Sequence, residues 1–241
     1  MTPSAADRPY HHGNLRAELL AHAERMLDES GQDGLSLREL ARAAGVSHGA
    51  PRRHFADRQA LLDALAAEGF ERLRGELDAA MTDAAMTDAV MTDAVMTDAV
   101  TAGEGTAGRE TADAETAGPG RSFADRLETF AQAYVSFAIR HTELLRLMHT
   151  IKDRPGAGEL REANNRAFAA PMRLIAEARA SGEVVADDPD RVAMAVLALL
   201  QGLATVITTG ITGDRDVTRL VSGAVRTLVE GLRPRAGRAD A

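Results

Sequence analysis

The stretch from Ser36 to Phe55 constrains the fold most, because it has the pattern of two short helices joined by a tight turn. Ser36 and Glu39 stand at the spacing of a capping box, in which a hydroxyl and a carboxylate each satisfy a free N–H at a helix start. Gly45 suits the left-handed residue that ends a helix, and Ser47 can cap a second helix. This pattern predicts a helix-turn-helix, the geometry that places a second helix in the DNA major groove.

The predicted second helix carries a polar, cationic surface. His48, Arg52 and Arg53 supply donors, while Gly49 and Ala50 are small enough for close approach of the backbone to a ligand. The alternative interpretation is an ordinary helical hairpin inside a larger bundle, since short motif matches carry false positives.

Helix signals continue on both sides of this stretch. Asn14 can cap a helix that runs to about Ser30, and Asp57 can cap a longer one. Phe55 is expected to close the core at their junction. We therefore predict a helix-turn-helix domain over residues 1–60, followed by a connecting helix over residues 61–80.

These motifs resemble the N-terminal DNA-binding domain of the tetracycline-repressor (TetR) family of bacterial regulators. The resemblance is carried by Gly34-Leu-Ser36-Leu37, Leu40-Ala41, Ala44-Gly45-Val46-Ser47, His54-Phe55-Ala-Asp57-Arg58 and Leu61-Leu62, with a similar lead-in at Pro9–Arg16. It covers roughly the first seventy residues. Two positions depart from the family pattern: Arg52 stands where an aromatic residue is usual, and Arg58 stands where Lys is usual.

The resemblance implies a double-stranded DNA operator as partner, contacted by ten residues. These are Ser36, Arg38, Ser47, His48, Gly49, Ala50, Arg52, Arg53, His54 and Arg58. His48, Gly49, Ala50 and Arg53 are expected nearest the base edges. Ser36, Arg38, Arg52, His54 and Arg58 are expected at phosphates.

Net charge does not contradict this expectation. The whole chain carries −8, but residues 1–60 hold eight arginines against eight acidic residues, so the negative charge lies in the rest of the chain. A basic face on one small domain is sufficient for nucleic acid. There is no cysteine, which excludes disulfides and Cys-based zinc sites. The first residues lack an apolar segment, and the apolar run at 192–200 is short, so we expect a cytoplasmic protein without membrane contact.

Residues 81–100 are four near-perfect copies of a five-residue unit, MTDAA and then three of MTDAV. A period of five turns a helix by about 140° per copy, so no single face collects the apolar side chains. We interpret residues 81–120 as a low-complexity insertion and linker in a surface loop, with a helical start as one form of it. The alternative is an interaction segment that uses the repeated Met and Val side chains.

Helical spacing returns over residues 121–233, which predicts an all-α C-terminal domain for ligand binding and dimerisation. Its last two helices, at about 190–211 and 214–232, are apolar on more than one face and need a second partner. The resemblance implies that they form a homodimer interface. It also implies a cavity for an unknown small-molecule effector, lined by Phe130, Tyr134, Phe137, Met148, Phe168 and Met172. The alternative is that these aromatic and methionine side chains, at helical spacing, are simply core residues. Residues 234–241 are expected to be a disordered tail.

The sequence therefore favours a homodimeric repressor that binds a palindromic operator and is released by a small molecule, with neither enzymatic activity nor a cofactor or metal. One alternative is a dimeric small-molecule-binding or interaction module whose DNA binding has degenerated, as Arg52 would allow. A third is a metal-dependent enzyme that uses Tyr10-His11-His12. It is disfavoured because no third ligand stands at zinc-like spacing and no nucleophile motif occurs.

Overall fold

The computed structural model describes residues 15–101, 121–184 and 188–233, with backbone alone at residues 85 and 87–101. Within these ranges the chain forms nine α-helices and no strand, which confirms the all-α prediction. The helices are α1 (Leu15–Ser30), α2 (Leu37–Ala43), α3 (Arg58–Thr101), α4 (Phe123–Arg140), α5 (Thr142–Ile151), α6 (Gly158–Ala167), α7 (Ala169–Ala180), α8 (Pro189–Thr208) and α9 (Val217–Leu232). The expected Asn14 cap, the Tyr10-His11-His12 cluster, the linker after residue 101 and the tail lie outside the described residues.

The helices divide into two compact units, and the division does not follow the chain. The first unit combines residues 1–71 with 141–164, and the second combines 72–140 with 165–241. The predicted boundary at residue 60 is therefore incomplete. Sequence periodicity reports which face of a helix is apolar, but it does not report which core that face joins.

The core of the first unit brings α5 against the N-terminal helices. Its buried apolar side chains are Leu19, Leu20, Ala23 and Leu27 of α1, Leu37, Leu40 and Ala41 of α2, Phe55, Leu61, Leu62, Leu65 and Phe70, and Leu144, Leu147 and Met148 of α5. Gly69 of α3 is buried beside α5, where a Cβ would lie 2.7 Å from Met148 Sδ. A glycine therefore sets how closely these two helices approach.

Helix α3 continues through the four repeats to Thr101, so the loop interpretation is wrong for residues 81–101. The repeat contains neither Gly nor Pro, and Ala and Met are good helix formers. An existing helix also extends without a new nucleation step. The five-residue period denies the segment a single apolar face, but it does not prevent the backbone from staying helical.

The core of the second unit is built around α4, against which α7, α8 and α9 pack. Phe130, Tyr134 and Phe137 of α4 are fully buried. Helices α6 and α7 are separated at Phe168, which has φ −98° and ψ 13°. Pro171 explains the break, because its ring clashes with the carbonyl four residues earlier and it has no N–H to donate.

The last two helices begin slightly away from their predicted starts. Asp188 caps α8 through a 2.9 Å bond from the Asp190 N–H, and Asp216 caps α9 through a 3.1 Å bond from the Arg219 N–H. Gly210, with φ 75°, follows the end of α8. In the described part of the chain, α8 alone is long and apolar enough to cross a membrane by length and composition. That is weak support for a span, because core helices of soluble proteins pass the same test.

Candidate nucleic-acid interface

Ser36 caps the first helix of the predicted motif, which confirms the hydroxyl half of the predicted capping box. The Glu39 N–H donates to Ser36 Oγ at 3.1 Å, and Ser36 has the extended backbone of an N-cap residue. Leu37, Leu40 and Ala41 are buried, which turns the opposite side of α2 to solvent with Arg38 and Arg42 on it. The cap and the apolar face together fix the direction of the helix that precedes the turn.

The turn after α2 is a complete Schellman motif. Gly45 has φ 66°, its N–H donates to the Arg42 carbonyl at 3.2 Å, and the Val46 N–H donates to the Ala41 carbonyl at 3.0 Å. A side chain at position 45 would meet no atom within 4 Å, so the backbone conformation and not space requires glycine here. The sequence-based assignment of Gly45 is confirmed.

The recognition segment that follows is shorter and tighter than the predicted second helix. Residues 48–50 form a turn, and Pro51–Arg53 form a single turn of 3-10 helix. The Ala50 N–H donates to the Ser47 carbonyl at 2.9 Å, three residues back. Pro51 accounts for this: it has no N–H with which to form the next i−4 bond of an α-helix. The Pro51 ring is buried, and Arg52, Arg53 and His54 project as exposed side chains.

The start of α3 is bound to the loop before α2. Asp57 Oδ1 accepts a 2.8 Å bond from the Ala60 N–H, as the sequence predicted for a cap. Arg58 Nε donates to the Leu35 carbonyl at 2.8 Å, and a second guanidinium nitrogen of Arg58 donates to the Gln32 carbonyl. Arg58 thus joins two segments that lie more than twenty residues apart in the chain.

The predicted DNA-contact residues share one segment and are mostly solvent-exposed. Ser36 and Ala50 are half-buried, and the other eight are exposed. Residues 36–58 hold five arginines against Glu39 and Asp57. Among the described residues, the side chains of Arg38, His48, Arg52 and Arg53 have no hydrogen-bond or ion-pair partner, so their donors face solvent. The geometry provides a cationic surface with uncommitted donors.

Arg16 is a residue that the sequence analysis did not select. Its guanidinium lies 5.7 Å from the centroid of the Phe55 ring, over the aromatic side chain that closes the core of this domain. Such stacking holds an exposed cation near the start of α1. Its signal in the sequence is weak, because an arginine at the start of a helix has no distinctive spacing to an aromatic residue 39 positions later.

The predicted effector-site residues divide between the two units. Phe130, Tyr134, Phe137, Phe168 and Met172 lie in the second unit, and Met148 is a buried core residue of the first. The Phe168 ring centroid is 5.8 Å from that of Tyr134 and 6.5 Å from that of Phe130. Met172 is 42% exposed. Four of the six predicted residues are thus buried or half-buried within one core, while Met172 is at its surface.

An open groove of about 530 Å³ also lies on the second unit. It is lined by Ala80, Arg121, Asp125, Glu128, Thr129, Gln132, Ala133 and Ser136. Glu128 and Gln132 are engaged with α9, because Ser222 Oγ donates to Glu128 Oε1 at 2.5 Å and Gln132 Nε2 donates to the Thr218 carbonyl at 2.9 Å. These polar side chains connect α4 to α9.

Helices α8 and α9 keep apolar and small residues on their solvent side. Met194 is 64% exposed, and Gly202 of α8 and Gly223 of α9 face open space in which a Cβ would meet nothing. Opposite these residues, Val192, Val196 and Val225 are buried. Both helices therefore present a second, uncovered face.

The class to which this geometry corresponds is the helix-turn-helix transcriptional regulator of bacteria. The profile described as "Bacterial regulatory proteins, tetR family" matches residues 19–65, and that described as "Tetracyclin repressor-like, C-terminal domain" matches residues 127–228. The chain is 40% identical over 73 residues to the HTH-type transcriptional repressor AcnR of Corynebacterium glutamicum. That match covers 30% of this chain and 37% of the relative.

Solved structures extend the similarity to the full length. A protein of unknown function from Rhodococcus sp. RHA1 is 38% identical, with a TM-score of 0.73, 95% of this chain covered and 100% of that one. The ketosteroid transcriptional regulator KstR2 of Mycobacterium tuberculosis has the same fold at 16% identity and a TM-score of 0.58, with 92% and 98% covered. The chain belongs to the TetR family of transcriptional regulators.

Proposed function

We propose that this protein is a homodimeric transcriptional repressor that binds a palindromic operator and is released from it by a small molecule. The observation that carries the proposal is the cationic surface over residues 36–58, where the side chains of Arg38, His48, Arg52 and Arg53 have no hydrogen-bond or ion-pair partner among the described residues. A cytoplasmic location follows from the function. The match to a named repressor supports the proposal over the 73 aligned residues.

His48, Gly49, Ala50 and Arg53 are assigned to the base edges. Ser36, Arg38, Ser47, Arg52 and His54 are assigned to the flanking phosphates. Arg58 is assigned a different role, because its guanidinium already donates to the Leu35 and Gln32 carbonyls. It joins the start of α3 to the loop before α2, and any phosphate contact that it makes uses its remaining donors.

The test is a titration of the purified protein against a fluorescent duplex of its upstream intergenic DNA, with salt and random competitor varied. Arg53→Ala is expected to weaken binding by about 1–3 kcal/mol at the operator alone, because a base contact is lost. Arg52→Ala is expected to weaken binding to every duplex alike. It should also lower the salt dependence of the binding constant by about one unit of slope, as the loss of a phosphate contact does. Arg173→Ala, an exposed arginine of α7, is the matched control.

Homodimerisation is proposed through the uncovered faces of α8 and α9. A two-fold axis between these helices would place two recognition segments about 34–36 Å apart, one turn of DNA. Gly223→Arg tests this face: a Cβ there meets no heavy atom within 4 Å, and arginine is a better helix former than glycine. We expect a folded monomer in sedimentation equilibrium. Gly75→Arg, at an exposed and equally open position of α3, should remain a dimer.

The alternative of a ligand-binding module with degenerate DNA binding is favoured by one observation. The recognition segment contains a single 3-10 turn, Pro51–Arg53, in place of a regular α-helix. The same titration separates the two functions. Binding that random competitor abolishes at every salt concentration, followed by failure to select a site from a random duplex pool, would establish the module and reject the repressor.

A further inference from the structure

The hydroxyl of Tyr134 is a buried polar group without a partner. The Tyr134 side chain is 0% exposed, and its Oη forms no hydrogen bond with any residue that the structure describes. Burial raises the pKa of the Tyr134 phenol, so the group stays a neutral O–H that can both donate and accept. Buried tyrosine hydroxyls almost always have a partner, because leaving one unsatisfied destabilises the fold.

An aromatic ring packs on Tyr134, and burial alone shifts the pKa of its phenol, with no contribution from a charged group. The Phe168 ring packs against Tyr134 and against Phe130, one helical turn away on α4, with the rings inclined by 57° and 58°. Packing alone would be satisfied by phenylalanine at position 134. No described residue accepts or donates a hydrogen bond at this hydroxyl, which leaves it available to a bound molecule.

One member of the cluster is placed to move. Phe168 is half-buried and lies at the break between α6 and α7, outside regular helical geometry. Its backbone is therefore not fixed by a continuous helix, and its ring contacts Tyr134 and Phe130. Rotation of Phe168 toward solvent would open the face of Tyr134 without unfolding either helix.

We infer that the Tyr134 hydroxyl is the polar anchor of the effector site, and that the effector is an uncharged, planar, largely apolar molecule carrying one hydroxyl or carbonyl oxygen. This inference rests on the proposed ligand response and names the ligand class. The aromatic faces of Phe130 and Phe168 select a flat apolar body. The cluster offers no charged side chain, so an ionised ligand would be left unpaired in an apolar core.

The experiment compares 2-naphthol with naphthalene, which has the same ring system and no oxygen, by calorimetric titration of the full chain. The wild type should bind 2-naphthol roughly tenfold more tightly, because the Tyr134 hydroxyl pairs only with the oxygen-bearing probe. Tyr134→Phe should remove this preference while its melting temperature stays equal or rises. Tyr10→Phe removes the same hydroxyl at the other tyrosine of the chain and should keep the preference.

Two results would overturn the inference. One is an unchanged preference for 2-naphthol in Tyr134→Phe, and the other is the absence of binding of either probe to the wild type. Release of operator DNA, measured separately, distinguishes this failure from that of the proposed function. Naphthol that binds through Tyr134 without releasing DNA leaves the anchor in place and rejects the ligand response. DNA release by a charged molecule that is unaffected by Tyr134→Phe would support the ligand response and reject Tyr134 as the anchor.

Discussion

The close approach of α3 and α5 at Gly69 predicts how much one substitution changes the stability of the protein. A Cβ at this position would lie 2.7 Å from Met148 Sδ and 3.2 Å from Leu144 Cδ1, and both side chains are fully buried. Gly69→Ala gains about 1 kcal/mol of helix propensity. It also overpacks a core in which neither neighbour has free space, at a cost of about 1–3 kcal/mol.

Gly75→Ala on the same helix isolates the propensity effect, because its added methyl group meets no atom within 4 Å. We expect Gly75→Ala to raise the melting temperature by about 2–4 °C, the shift for 1 kcal/mol in a chain of this size. Gly69→Ala should melt roughly 2–12 °C below Gly75→Ala. Met148→Val, which removes the δ atom, should narrow that gap in a double-mutant cycle. Equal stabilisation by the two alanines would refute the reasoning, since the crowding at Gly69 would then cost nothing.

Two further predictions concern the first unit. Ser36→Ala removes the acceptor of the Glu39 N–H and should lower stability by about 1 kcal/mol in a denaturant titration, whereas Ser36→Asp should restore it. The second prediction concerns pH. Burial and, to a smaller extent, the nearby Lys152 ammonium lower the pKa of His149 from 6.5 to about 4. As pH falls below 6.5 the unfolded chain takes up this proton before the folded one does, so stability is full above that pH and declines toward pH 4. Lowering the pH from about 7.5 to about 5 should therefore reduce the melting temperature of His149→Gln less than that of the wild type. An equal decrease in the two proteins would contradict the assignment.

Much of the DNA-binding region could be predicted from sequence because local chemistry determines it. The cap at Ser36, the left-handed residue at Gly45 and the cap at Asp57 each depend on neighbours within four positions. The same reasoning failed where one residue overrides a pattern. Pro51 shortens the recognition segment and Pro171 divides the helix after residue 158, although the apolar spacing continues through both.

Long-range features could not be predicted from periodicity. The bonds of Arg58 to the carbonyls of Gln32 and Leu35 depend on tertiary placement, and no local spacing signals them. Met148 was predicted to line the effector cavity, but it packs beside Gly69 in the first unit. The contacts of the ten predicted DNA-binding residues with DNA remain a prediction, because exposure and charge describe a surface and not its occupant.

The discontinuity of the first unit has a consequence for synthesis and for engineering. Leu144, Leu147 and Met148 contribute to a core most of whose members precede residue 71, so a ribosome must translate the whole of α4 before this core can close. Until then, the N-terminal helices of the nascent chain would expose the apolar groove beside Gly69 to solvent. For the same reason, a chimaera that transplants only the first seventy residues would leave that groove empty, whereas one that also carries residues 141–164 would transfer a complete folding unit.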